Sequence, residues 1–159
     1  MQVNIQLVDE HDLEEILRLQ KECYQSEAEI YNDYAIPPLL QDMQTLKKEF
    51  ENSLFLKAVL ATEIVGSIRA HADGTTCFVG KLIVKKDFRN NGIGGQLLRA
   101  VETYFPDCKR WVLFTGHKSE KNLYLYRKHG YKEFKREVAN TNMTMIYFCL
   151  LYTSPSPRD

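Results

Sequence analysis

The chain lacks net charge. Its 21 basic and 21 acidic residues cancel, which removes the basic footprint of a nucleic-acid binder and the acidic tail of a solvating segment. A polyanion partner is therefore disfavoured. Also missing is any apolar run near the ~18 residues that a membrane span needs. The amino terminus MQVNIQLVDEHD has no basic segment leading into an apolar one. The expectation is a cytoplasmic protein with no nucleic-acid and no membrane partner. Cysteine is sparse and scattered: Cys23, Cys77, Cys108 and Cys149 form no C-x-x-C and no paired spacing with histidine. That argues against a metal site and a disulfide framework, and for free thiols. Two nucleotide-binding loops are absent too. There is no Gly-Lys-Ser/Thr, which excludes a P-loop, and Gly92, Gly94 and Gly95 do not fit G-x-G-x-x-G.

What is there is an ordinary globular composition, 44% hydrophobic and 26% charged over 159 residues, enough for one domain spanning 1–151. The closing stretch 152–159, YTSPSPRD, holds two prolines and two serines and can neither extend a strand nor build a core. It is expected to be a disordered or foreign tail.

Periodicity gives the element order. Val3 to Val8 read as a strand, and Leu13, Ile16 and Leu17 as one face of a helix that fades by Ser26. Glu27 to Pro38 read as an acidic, tyrosine-rich loop, followed by a helix carrying Leu39, Leu40, Met43, Leu46 and Phe50. Strands at 54–61 and 64–73 flank a turn at Thr62 and Glu63. Asp73-Gly74 then predicts a two-residue hairpin turn with Ala72 opposite Thr75, Arg69 opposite Phe78 and His71 opposite Thr76. That register puts Ile64, Ile68, Val79 and Ile83 on one face of the hairpin. A further helix ends near Phe105, before Pro106. The apolar run Trp111 to Thr115 is a strand parallel to the one through Leu82, by the right-handed crossover of a βαβ unit. Ser119 is placed to cap a short helix that closes at Gly130, and 132–138 with 144–151 form a last hairpin. Its outer edge leaves a monomer and a homodimer both open.

Lys81 to Leu98, KLIVKKDFRNNGIGGQLL, is the stretch that points to a ligand. A β-prone run, Leu82, Ile83 and Val84, enters a polar turn and then a helix start punctuated by glycine. Glycines there let a bulky anion approach the unsatisfied N–H groups and positive dipole end of the helix. The pattern Leu82-Ile-Val84 followed by Arg89-Asn-Asn-Gly92-Ile-Gly94 resembles the acyl-CoA loop of the GCN5-related N-acetyltransferases (GNAT). A second stretch, Ser119-Glu-Lys-Asn122 through Tyr126 to Gly130-Tyr131, is similar to another motif of the same family.

The resemblance implies an α/β GNAT fold: a mixed, mostly antiparallel sheet of six to seven strands, with a parallel splay between the fourth and fifth and four helices on its faces. It implies acetyl-CoA as cosubstrate, no metal, and transfer of an acetyl group to a primary amine of a small molecule or peptide in a ternary complex. Carried over by position, Arg89, Asn90, Asn91, Gly92, Ile93, Gly94 and Gly95 would hold the pyrophosphate. Leu82, Ile83 and Val84 would pair with the pantetheine arm, the Leu82 and Ile83 amides would stabilise the oxyanion, and Asn122 would bond along the arm. Tyr126 would sit near the sulfur as proton donor.

One departure stands out. The strand Cys77-Phe-Val-Gly-Lys81 has no carboxylate where many members carry a glutamate, which leaves the proton acceptor open among His117, Glu27, Glu29 and water. It also keeps alive the alternative of a CoA-binding module of the same fold without turnover. Glu27, Tyr31 and Tyr34 are the substrate-binding candidates, since an acidic and aromatic surface suits a cationic amine.

Overall fold

The computed structural model describes residues 2–152, so most of the tail expected at 152–159 lies outside the described residues. Seven strands form one sheet: β1 (Asn4–Leu7), β2 (Leu54–Leu60), β3 (Glu63–Asp73), β4 (Thr76–Val84), β5 (Arg110–Gly116), β6 (Lys132–Val138) and β7 (Thr144–Leu151), in the order β1-β2-β3-β4-β5-β7-β6. All neighbours are antiparallel except β4 and β5. Among the described residues five α-helices accompany them: α1 (Leu13–Tyr31), α2 (Pro37–Leu40), a single turn, α3 (Met43–Asn52), α4 (Ile93–Tyr104) and α5 (Glu120–Lys128). Among the described residues no helix is long and apolar enough to cross a membrane.

The sheet is covered on both faces. Leu97, Leu98 and Val101 of α4 and Leu123 of α5 pack with Leu56, Val65, Ile68, Val79 and Phe148 on one side. Leu13, Ile16 and Leu19 of α1 and Leu46 of α3 pack with Phe55, Ile64 and Ile83 on the other. That both faces of β3 and β4 are apolar follows from this double cover.

Three expectations are corrected. First, α1 does not fade at Ser26 but continues to Tyr31, because Cys23, Ala28 and Tyr31 extend its buried face. It ends where Asn32 turns left-handed (φ 49°) and donates its N–H to the Ala28 and Glu29 carbonyls. Glu27 and Tyr31 are therefore helical residues. Second, the helix expected through Leu39 and Phe50 breaks in two, since the Asp42 side chain caps α3 by accepting the Thr45 N–H at 2.9 Å.

Third, the central hairpin turns at Gly74-Thr75, pairing Asp73 with Thr76, His71 with Phe78 and Arg69 with Gly80. A bulge then shifts the register so that Ser67 faces Ile83, with Lys81 left-handed at φ 44°. This bulge, with a second in β3 where Ala58 faces Gly66 and Val59 faces Ile64, splits the face expected to be continuous: Ile68 and Val79 join the α4 side while Ile64 and Ile83 join the α1 side.

Candidate functional site

The parallel contact of β4 with β5 is short. Only Thr76 to Phe78 register against Arg110 to Val112; beyond them the strands part, leaving an edge of β4 without a strand partner. Into this wedge opens a cleft of about 790 Å³. One wall is Leu82, Ile83 and Val84, the opposite wall is Asn122 and Leu125 of α5, and the α4 turn closes one end.

At that end Arg89, Asn90, Gly92, Ile93, Gly94 and Gly95 all border the cleft. Asn90 and Gly92 are left-handed (φ 66° and 78°), so the chain reverses into α4 with its first-turn amides presented. Asn91 does not line the cleft; its side-chain amide donates to the Phe88 and Arg89 carbonyls at 3.2 and 3.1 Å and ties the turn. Arg89 Nε donates to the Val84 carbonyl at 3.2 Å. Gly94 and Gly95 serve packing as well, since a Cβ on either would meet Leu125 at 3.0 Å or His129 at 2.5 Å.

The other end is built by α1, whose Tyr24, Glu27 and Ile30 line the cleft. Tyr24 was not among the residues expected from sequence. The signal was present as the spacing Tyr24, Glu27, Tyr31, one stripe of a helix, but it was hidden once the helix was read as ending at Ser26. Burial, with the nearby Glu27 charge adding to it, holds the Tyr24 phenol well above its ordinary range. Tyr126 is shifted up for the same leading cause, with Tyr24 and Glu27 contributing. Tyr126 itself sits in the core against Phe148 and Tyr131 and is absent from the cleft wall.

Asn122 Nδ2 donates to Thr115 Oγ1 at 3.2 Å. The Ser119 side chain makes no cap bond to α5, contrary to expectation; its Oγ donates to Glu27 Oε1 at 2.7 Å. Tyr31 is buried, its hydroxyl 2.8 Å from Ser119 Oγ and accepting the Lys118 N–H at 2.8 Å. His117 lines a second, polar cavity of about 340 Å³, together with Tyr31 and the β6–β7 loop. Its Nδ1 accepts the Thr144 N–H at 2.9 Å. The two cavities share Ile30 and Lys118. Glu29 and Tyr34 are exposed and border neither of them.

On the α1 face of the sheet, buried Arg69 donates to Gln20 Oε1 and, at 2.9 Å, to Glu49 Oε1, which Lys81 at the bulge also reaches at 3.4 Å. Among the described residues no cluster of histidine, cysteine or carboxylate side chains is arranged to hold a metal ion.

The model of the family described as "Acetyltransferase (GNAT) family" matches residues 13–131. Among solved structures, a GNAT-family acetyltransferase from Staphylococcus aureus superposes with a TM-score of 0.78 at 20% identity, covering 96% of this chain and 100% of that one. The ribosomal-protein-S18-alanine N-acetyltransferase of Escherichia coli gives 0.78 at 13% identity, covering 98% and 97%. A GNAT-family acetyltransferase from Elizabethkingia anophelis with acetyl-CoA bound gives 0.67 at 19% identity, covering 94% and 97%. No curated protein sequence matches the chain.

Proposed function

Since the chain belongs to the acetyltransferase (GNAT) family, we propose that it transfers an acetyl group from acetyl-CoA to a primary amine of a small molecule or peptide, by direct attack in a ternary complex. The observation that carries this reading is one cleft joining the amides of α4, the unpaired edge of β4 and the Glu27 carboxylate. The first turn of α4 suits a pyrophosphate, because its N–H donors and dipole end face the cleft. Leu82 to Val84 suit the amides of the pantetheine arm, with Asn122 opposite them, and the Leu82 and Ile83 amides are our donors for the oxyanion.

The proton bookkeeping uses residues at the α1 end. The acceptor arrives as an ammonium and gives one proton to Glu27, which stands in for the carboxylate missing from β4. The neutral nitrogen attacks the thioester carbon, a C–N bond forms and the C–S bond breaks. Tyr24 protonates the departing thiolate and recovers its proton from the nitrogen, while Glu27 returns its own to solvent. The products are an amide, CoA and one proton. A phenol is protonated through the neutral range at its ordinary value, and burial moves Tyr24 and Tyr126 further up, so each is present as a hydrogen-bond donor. The smaller cavity at His117 lies where the acceptor's remainder would extend, and its carboxamide-lined rim suits a polar chain.

The test is to mix the protein with acetyl-CoA and a panel of amines, peptides and aminoglycosides and follow free thiol. We expect thiol release that depends on at least one acceptor. Release with none of a broad panel overturns the reading.

A further inference from the structure

Ser119 stands where a helix cap is expected, yet its hydroxyl points away from α5 and into a buried chain of hydrogen bonds. The chain has one consistent direction. Glu27 only accepts, so Ser119 Oγ donates to it at 2.7 Å. Having used its proton there, Ser119 accepts at 2.8 Å from Tyr31 Oη, which in turn accepts the Lys118 backbone N–H at 2.8 Å. Tyr31 and Ser119 are 3% and 4% exposed, so the bond between them is shielded from solvent. Space for the phenol is reserved as well. A Cβ on Gly116 would lie 2.1 Å from Tyr31 Oη, so only glycine on the last position of β5 admits the ring.

We propose that Ser119 and Tyr31 are positioning residues, a relay anchored on the Lys118 amide that holds Glu27 Oε1 and thereby turns the other carboxylate oxygen toward the acceptor nitrogen. The relay rests on the acetyl-transfer reading above, and assigns a positioning function through Glu27 to two residues that border the cavities of that site. It spans α1, β5 and the start of α5, so it ties the carboxylate to both sides of the wedge. Fixing one oxygen in a hydrogen bond leaves the other available to the ammonium, and a carboxylate released from it swings on its free torsions.

The experiment is a double-mutant cycle on the full chain with an acceptor found in the thiol-release assay. Ser119→Ala and Tyr31→Phe are expected to lower kcat by about tenfold to a hundredfold, with KM for acetyl-CoA unchanged. Ser119→Thr, which keeps the hydroxyl, is expected to restore most of kcat. In the Glu27→Gln background Ser119→Ala is expected to cost nothing further, because the relay acts only through that carboxylate. A kcat equal to wild type in both Ser119→Ala and Tyr31→Phe overturns the relay alone, as does a loss additive with Glu27→Gln. Absence of turnover in the wild type overturns the acetyl-transfer reading and the relay with it.

Discussion

Two phenols compete for one task, and exposure to the cleft decides between them. Tyr24 lines the wedge, whereas Tyr126 packs against Phe148 with its ring in the core. Tyr24→Phe is therefore expected to reduce kcat by about a hundredfold, and Tyr126→Phe by much less, in a steady-state assay of thiol release. Tyr126 is the donor that the family motif implies, and its phenol feels both Tyr24 and Glu27. The sequence carried no sign that Tyr126 would turn into the core while its neighbours Tyr124 and Leu125 line the cleft. Ser119 misled in the opposite way: a serine before a helix is the commonest of caps, and only the arrival of Glu27 from 92 residues away gives its hydroxyl a better acceptor.

At the scale of elements, the turn into α4 was legible because its chemistry is local. Glycine, asparagine and the apolar period that follows all lie within a dozen residues, and Gly92 takes the positive φ that such a turn requires. Gly92→Val places a β-branched side chain in that conformation, and calorimetry should show CoA binding weakened by more than tenfold. The β3–β4 register was not legible, because a bulge depends on what packs across it. Lys81 leaves the ladder and reaches Glu49 on α3, which Arg69 also holds.

Burial opposes ionisation of Glu49, but the Arg69 guanidinium, the Gln41 amide and the Lys81 ammonium outweigh it and keep the carboxyl below its ordinary value of 4.5. A depressed folded value contributes stability above that pH, lost as pH falls through the folded value. Urea unfolding between about pH 6 and pH 3 should show this loss in the wild type and a shallower slope in Glu49→Gln.

Over the whole molecule, order and layering were accessible because hydrophobic period and loop length determine them, and the helix cover on both sheet faces matches the apolar strands. What composition left open was the length of α1, since Gln25, Ser26, Glu27 and Glu29 are polar residues that a helix tolerates as well as a loop does. The single-domain reading remains a proposal with a direct test. Truncation after Leu151 removes the 2.8 Å bond from the Tyr152 N–H to the Lys109 carbonyl. A melting point within about 4 °C of wild type is expected, the effect of a single hydrogen bond. A larger fall would show that the last residues support the fold.

The shortness of the β4–β5 contact also has a mechanical meaning. Three paired positions join a half-sheet of four strands to one of three, so the molecule resembles a book opened at its spine. A ligand bonded along the inner margin of one page and wedged against the other acts as a clasp. Hydrogen exchange should then slow on both margins, at Leu82 to Val84 and at Leu113 to Gly116, when acetyl-CoA is added, and the melting point should climb with the logarithm of its concentration. The molecule that donates the acetyl group would thus complete the sheet that holds it, and its departure as CoA after transfer would loosen the binding for the next exchange.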